Sequence, residues 1–198
     1  MIDVSRETAL LFDKYEQLLV TWNPKINLVA SSTLAGFRER HIEDCLQIVN
    51  FLPDHISGKW VDIGSGGGLP GLVLAINYRN QPVSFSFVES DKRKCQFLRT
   101  VIRELGLSNV EVIGERIEKI SPLNADYLSA RALAALPKLL GFVERHLGDD
   151  GQALLMKGRS WQDEVDLARK EWHFDLEHSP STTDAEAAIL KVSGVSHA

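Results

Sequence analysis

Asp62-Ile63-Gly64-Ser65-Gly66-Gly67-Gly68-Leu69-Pro70-Gly71 is the stretch on which the reading of this chain turns. It continues the strand-like run Lys59-Trp60-Val61-Asp62-Ile63 and leads into a helical pattern that lasts to about Tyr78. Glycines let a chain turn sharply out of a strand and let a ligand approach bare backbone. Pro70 suits a first helical turn, where its missing N–H costs nothing. Strand, glycine loop and helix in that order mark the ligand crevice at the carboxyl ends of the strands in a doubly wound α/β sheet.

Outward from the loop the same alternation continues. A strand is expected at Val83 to Val88, a helix from about Asp91 to Leu105, and strands at Val110 to Ile113 and around Tyr127 to Ser129. A helix from about Ala134 to His146 precedes a strand at Gln152 to Met156, and Trp172 to Leu176 with Ala187 to Val192 reads as a terminal strand pair. Strands alternating with helices imply a parallel sheet covered on both faces. Upstream, Leu11, Tyr15, Leu18, Leu19 and Trp22 keep helical spacing from Thr8 to Trp22, where Asn23-Pro24 is expected to stop the helix. Ile42, Cys45, Leu46 and Val49 share one face of a second helix running to about Pro53. The expected organisation is a helical N-terminal extension over residues 1–55, packed on an α/β core over residues 56–198.

The 198 residues are 44% hydrophobic and 25% charged with net charge -5, enough apolar side chain for a real core and too much for disorder. No apolar run approaches the roughly 18 residues that span a bilayer. The start, Met1-Ile2-Asp3-Val4-Ser5-Arg6-Glu7, is polar and acidic where a signal peptide would be basic and then apolar, so a cytoplasmic protein is expected. Cys45 and Cys95 stand far apart, and His146, His173, His178 and His197 lack metal-ligand spacing; no metal is expected. The acidic balance argues against indiscriminate nucleic-acid binding but leaves room for a local basic face.

Glu89 ends the strand after the glycine loop, where an acid commonly accepts the ribose hydroxyls of a nucleoside. Gly66, Gly68 and Gly71 even match the spacing of a dinucleotide fingerprint. That fingerprint presents helix amides to an anionic pyrophosphate, and Asp62 would set a carboxylate beside it. S-adenosylmethionine has no phosphate and carries a sulfonium and an ammonium, which a carboxylate favours. Gly64, Gly66 and Gly68 after an acidic strand end resemble the class I (Rossmann-like) methyltransferase motif, and no Gly-Lys-Ser/Thr of a P-loop follows.

At these residues the chain resembles one family, the bacterial 16S ribosomal RNA guanine-N7 methyltransferases called RsmG, formerly GidB. The resemblance covers nearly the whole chain. It runs through Trp22 to Leu28, Arg40-His41-Ile42-Glu43-Asp44, Asp62 to Gly71, Glu89-Ser90 with Lys92 to Leu98, Arg116-Ile117-Glu118, Ala130-Arg131-Ala132 and Lys157-Gly158. Val29 and Cys45 stand where the family often has Thr and Ser. The resemblance implies methylation of N7 of one guanine in the decoding region of small-subunit ribosomal RNA. It implies cofactor contacts from Gly64, Leu69, Ile117 and Glu118, and a place for Arg131 at the cofactor or substrate end. With Asp62, Gly66, Gly68 and Glu89 these complete the expected cofactor set.

Guanine N7 has a free lone pair, so its methylation needs positioning and a suitable electrostatic site rather than a general base. The chain lacks the Asp/Asn-Pro-Pro-aromatic tetrad of amino-methylating enzymes and the Pro-Cys nucleophile of cytosine-C5 enzymes. Candidate RNA contacts are Arg38, Arg40 and His41, then Lys92, Arg93 and Arg99 on one expected helix, and Lys157. His41 with Arg40 and Asp44 also fits a structural cluster, and Trp22 and Trp60 fit the core better than base stacking. The expected partner is 16S ribosomal RNA within the small subunit, with the protein a monomer. Methylation of a small molecule, and a non-catalytic nucleotide-binding module, stay open as alternatives.

Overall fold

A computed structural model describes residues 4–198; Met1, Ile2 and Asp3, part of the polar start read above, lie outside the described residues. The chain builds a seven-stranded sheet of order β3-β2-β1-β4-β5-β7-β6. Its strands are β1 (Gly58–Ile63), β2 (Val83–Val88), β3 (Val110–Ile113), β4 (Ala125–Arg131), β5 (Leu147–Lys157), β6 (Trp172–Pro180) and β7 (Ala188–His197). β1 to β5 pair in parallel, whereas β7 runs antiparallel to both β5 and β6. The terminal hairpin thus extends a parallel sheet with one reversed strand. None of the described helices is long and apolar enough to cross a membrane.

Helices α1 (Arg6–Ile26), α3 (Gly71–Asn77) and α4 (Lys92–Leu105) cover one face of the sheet, and α5 (Leu136–His146) and α6 (Trp161–Ala168) the other. On the first face Phe12, Tyr15 and Leu19 of α1 join Trp60, Phe85 and Phe97 in one apolar cluster, so the N-terminal helix packs directly on the sheet's layer. Trp60 is fully buried, stacked against Tyr127 at 5.0 Å and Phe85 at 5.7 Å between ring centroids. Trp22 is half-buried against Phe97.

Two local readings are corrected and one element is added. α1 does not stop at Asn23-Pro24 but carries Pro24 inside it and ends at Asn27 in the left-handed conformation. Asn23 keeps helical backbone and turns its amide side chain to the next loop, accepting from the Leu28 and Val29 amides at 2.7 and 2.9 Å. It is the loop, not the helix, that this residue fixes. The expected second helix is a succession of tighter and wider turns, Ser31–Gly36, Arg38–Glu43, the single α turn α2 (Asp44–Leu46) and Gln47–Phe51. Its apolar face is buried as read, with Ile42, Cys45 and Leu46 inside. Finally, α6 was not read from the sequence; only Val165 and Ala168 of it are buried, too few for a clear period.

Candidate functional site

The carboxyl ends of β1, β2 and β4 converge on the glycine loop. Tyr15 of α1 donates its hydroxyl to the Gly67 carbonyl at 2.5 Å, pinning the loop from below. From the side, Glu89 accepts the Gly66 amide on Oε2 at 2.9 Å and the Asp91 amide on Oε1 at 2.8 Å. Each carboxylate oxygen keeps lone-pair capacity for a second donor. Gly66 has φ 52 and open space where a Cβ would stand, with only the Gly64 carbonyl at 3.6 Å. Gly64 has φ 68, and a Cβ there would lie 2.6 Å from a Leu133 methyl.

Above the loop lies a cavity of about 340 Å³ lined by Gly64, Gly66 and Glu89 on one side and by Ile117, Glu118 and Ala132 on another. Five of the expected cofactor residues are therefore brought together. Lys94, Leu133, Lys138 and Phe142 line it too. Lys94 was legible only as a member of the Lys92 to Leu98 stretch, without a role of its own, and the other three lie on a segment without a motif. A second cavity, about 330 Å³, opens between the loop and Leu28-Val29-Ala30; Leu69 and Arg131 reach this one.

Two expected ligand contacts are corrected. Asp62 is 1% exposed and lines neither cavity. Its Oδ1 accepts the Ser129 hydroxyl at 2.6 Å, and Ser129 in turn accepts the Trp60 indole N–H at 2.9 Å. Among the described residues no donor meets Oδ2 within hydrogen-bond geometry. Burial pushes the carboxyl up to about 6, against the opposing pull of Ser129. Gly68 turns inward as well; a Cβ there would stand 2.2 Å from Leu72, so its role is close packing of loop on helix.

Arg131, at the end of β4, sits at the centre. Its Nη2 donates to His41 Nδ1 at 2.9 Å, and its Nη1 lies 3.5 Å from the Cys45 sulfur and 3.6 Å from Asp44 Oδ2. Burial, then the Arg131 charge, pushes His41 down to about 4. His41 is therefore neutral near pH 7, accepts on Nδ1 and donates from Nε2 to Thr33 Oγ1 at 2.8 Å. Thr33 in turn donates its hydroxyl to the Ala30 carbonyl at 2.7 Å. Burial raises the Cys45 thiol to about 12, so it is no nucleophile. The next residue, Ala132, holds φ 51, a left-handed conformation costly outside glycine.

The candidate RNA contacts divide. Lys92 and Arg93 open α4 and are exposed, as is Arg40. Arg99 is exposed and donates to the Val112 carbonyl at 3.2 Å, and Arg38 pairs with Asp13 at 2.6 Å. His41 is buried, bonded to Arg131, and lines the second cavity rather than the outer surface. Lys157 is corrected: it is 9% exposed, with its ammonium 2.7 Å from Glu164 and 2.8 Å from the Ala134 carbonyl, so it is not a free cation for phosphate.

Residues 9–190 match the family described as GidB, rRNA small subunit methyltransferase G. The ribosomal RNA small subunit methyltransferase G of Paracoccus denitrificans is 51% identical over 197 residues, 100% of both chains. That of Gluconobacter oxydans is 46% identical over 194 residues, 98% of this chain and 97% of its own. Among solved structures, a SAM dependent methyltransferase from Aquifex aeolicus superposes with a TM-score of 0.61 at 13% identity, over 79% of this chain and 91% of that one. Aeropyrum pernix fibrillarin, in complex with S-adenosyl-L-methionine, gives 0.59 at 16% identity over 76% of each. At such identities the structural likeness establishes a shared Rossmann-like fold. The match of sequence from end to end establishes more: the chain belongs to the rRNA small subunit methyltransferase G family.

Proposed function

We propose that the protein transfers a methyl group from S-adenosyl-L-methionine to N7 of one guanine in the 16S ribosomal RNA of the small subunit. The observation that carries the cofactor is the Glu89 carboxylate, which lines the cavity above the glycine loop with acceptor capacity left on both oxygens. A ribose diol offers two donors to such an acid. Gly66 leaves backbone bare beside it. Ile117 and Glu118 would flank the base, and Leu69 and Arg131 the amino-acid end. When bound, the cofactor supplies a methyl group on a positively charged sulfur.

The substrate follows from the family. N7 gives up no proton when methylated, so the reaction asks for no general base, and His41 is held by hydrogen bonds on both ring nitrogens. The residues instead hold geometry: Arg131 is fixed by His41, and His41 by Thr33. Arg40, Lys92, Arg93 and Arg99 would meet phosphates. The N-terminal segment 1–55 would serve as a wall of the site on the core 56–198, in a cytoplasmic monomer. The test is transfer of labelled methyl groups to small subunits lacking the modification: incorporation supports the reading, and transfer to small molecules but not to subunits sinks it.

A further inference from the structure

A third cavity, about 300 Å³, lies on the far side of Arg131, between the Ser31–Phe51 segment, the ends of β4 and β5 and the connection from β6 to β7. Arg131 and Ala132, with Thr33 and His41, line it and also the second cavity, between the loop and Leu28-Val29-Ala30, so the two spaces meet at these residues. Asp44 faces the third cavity alone. Its Oδ1 accepts the hydroxyls of Ser181 and Thr183, each at 2.8 Å, and the Gln47 amide at 3.3 Å. Among the described residues its Oδ2 has only Arg131 Nη1, at 3.6 Å. Charge-assisted N–H···O bonds run to about 2.8 Å, and at 3.6 Å this half-buried pair is not closed to one. Here a carboxylate oxygen and a guanidinium stand side by side, neither used up; Arg131 has committed two of its five N–H groups, to His41 and Cys45. Of the cavity's two other acids, Glu164 is filled by Lys157, the Leu136 amide and the Ser160 hydroxyl, and Asp184 is exposed at the rim, accepting the Glu186 amide on Oδ1 at 3.0 Å with no guanidinium beside it among the described residues.

An acceptor beside a donor matches one edge of guanine. Along that edge run the N2 amine and N1–H, both donors, then O6, an acceptor, then N7. We infer that Asp44 Oδ2 accepts from N1–H and N2–H of the target guanine while Arg131 donates to O6. N7, the next atom along, then points to where the cavities meet at Arg131 and Ala132. Adenine is rejected at both places, because its N1 has no proton for Asp44 and its N6 amine opposes the guanidinium. Uracil offers N3–H and O4 but no second donor. Asp44 is thus a specificity-determining residue for the reaction proposed above, on which this inference rests.

The experiment compares single-turnover methyl transfer to unmodified small subunits reconstituted with guanine or with inosine at the target position. Inosine keeps N1–H, O6 and N7 and lacks only the N2 amine. The wild-type protein should act on inosine about 10-fold more slowly or worse, as expected for loss of a hydrogen bond to a charged acceptor. Asp44→Asn keeps an amide oxygen toward Ser181 and Thr183, since Gln47 donates on that side, and loses the charged acceptor. It should lose about 10- to 100-fold on guanine, keep cofactor affinity within twofold by calorimetry, and no longer distinguish guanine from inosine. Equal wild-type rates on the two bases overturn the inference even if the variant does not fold. An Asp44→Asn loss of the same size on both bases also overturns it, leaving Asp44 structural. No wild-type transfer to guanine subunits overturns the proposed reaction itself, and this inference with it.

Discussion

The Gly66 amide donates to the Glu89 carboxylate at 2.9 Å, so the acid that ends β2 holds the loop that follows β1. One side chain thereby shapes the cradle and offers acceptors to what enters it.

Glu89→Ala should weaken S-adenosylmethionine binding by about 1–3 kcal/mol, the range for hydrogen bonds to a charged acceptor. It also strands the Gly66 and Asp91 amides, so the melting temperature should fall as well. Titration calorimetry and thermal unfolding separate the two effects. Normal affinity with lost turnover would instead give Glu89 a role in the chemistry.

The glycines of the loop should not behave alike. Gly66→Ala has room for its Cβ and should fold, at a cost of about 1–2 kcal/mol for the left-handed backbone, while cofactor affinity drops because the methyl enters the cavity. Gly68→Ala drives its Cβ into Leu72 and should lose more stability than Gly66→Ala. Equal melting temperatures for the two variants would contradict this division of labour.

Much of this was legible in the sequence, and the failures have physical causes. Val83 to Val88 and Val110 to Ile113 match their strands because short apolar runs between turn residues leave little choice. The loop's ligand role was legible too, but not which of its residues face the ligand. Spacing places Asp62 and Gly68 in the motif, whereas the fold turns Asp62 inward to Ser129 and packs Gly68 on Leu72. Lys157 reads as a surface cation until α6, itself unread, brings Glu164 against it. Asp44 was visible only as part of a helical cluster, since Ser181 and Thr183 lie 137 and 139 residues away along the chain.

Two buried groups should pull stability in opposite directions with pH. Asp62 keeps its proton up to about 6 in the folded protein, well above its ordinary 3.8, so its contribution is full below 3.8 and is lost as pH rises through about 6. His41 stays neutral down to about 4 against an ordinary 6.5, so its contribution is present above 6.5 and is lost as pH falls toward about 4. Between roughly pH 4 and 6 the two slopes oppose each other. Asp62→Asn removes one of them, so its melting temperature should fall more steeply than the wild type's from pH 6 to pH 4. A variant with the same or a shallower slope would contradict the assignment.

Arg131 and the cations of α4 should separate in kinetics. Arg131→Ala should cut methyl transfer steeply even at saturating subunit, because the group that fixes geometry is gone. Neutralising Lys92 and Arg93 together should raise the Michaelis constant and flatten its salt dependence, leaving the maximal rate near normal. Measuring both variants at two salt concentrations decides this. An unchanged salt dependence would move the RNA contact away from α4 and toward Arg40, which is exposed beside the third cavity.

The most direct measurement is the position of the transferred methyl group. Small subunits lacking the modification are incubated with the protein and labelled S-adenosylmethionine, and their RNA is treated with borohydride and aniline, which cleave the chain at N7-methylguanosine. A single new scission in 16S ribosomal RNA, at the nucleotide that carries the label, is the predicted result. Label incorporated without scission, or into a base other than guanine, would contradict transfer to guanine N7.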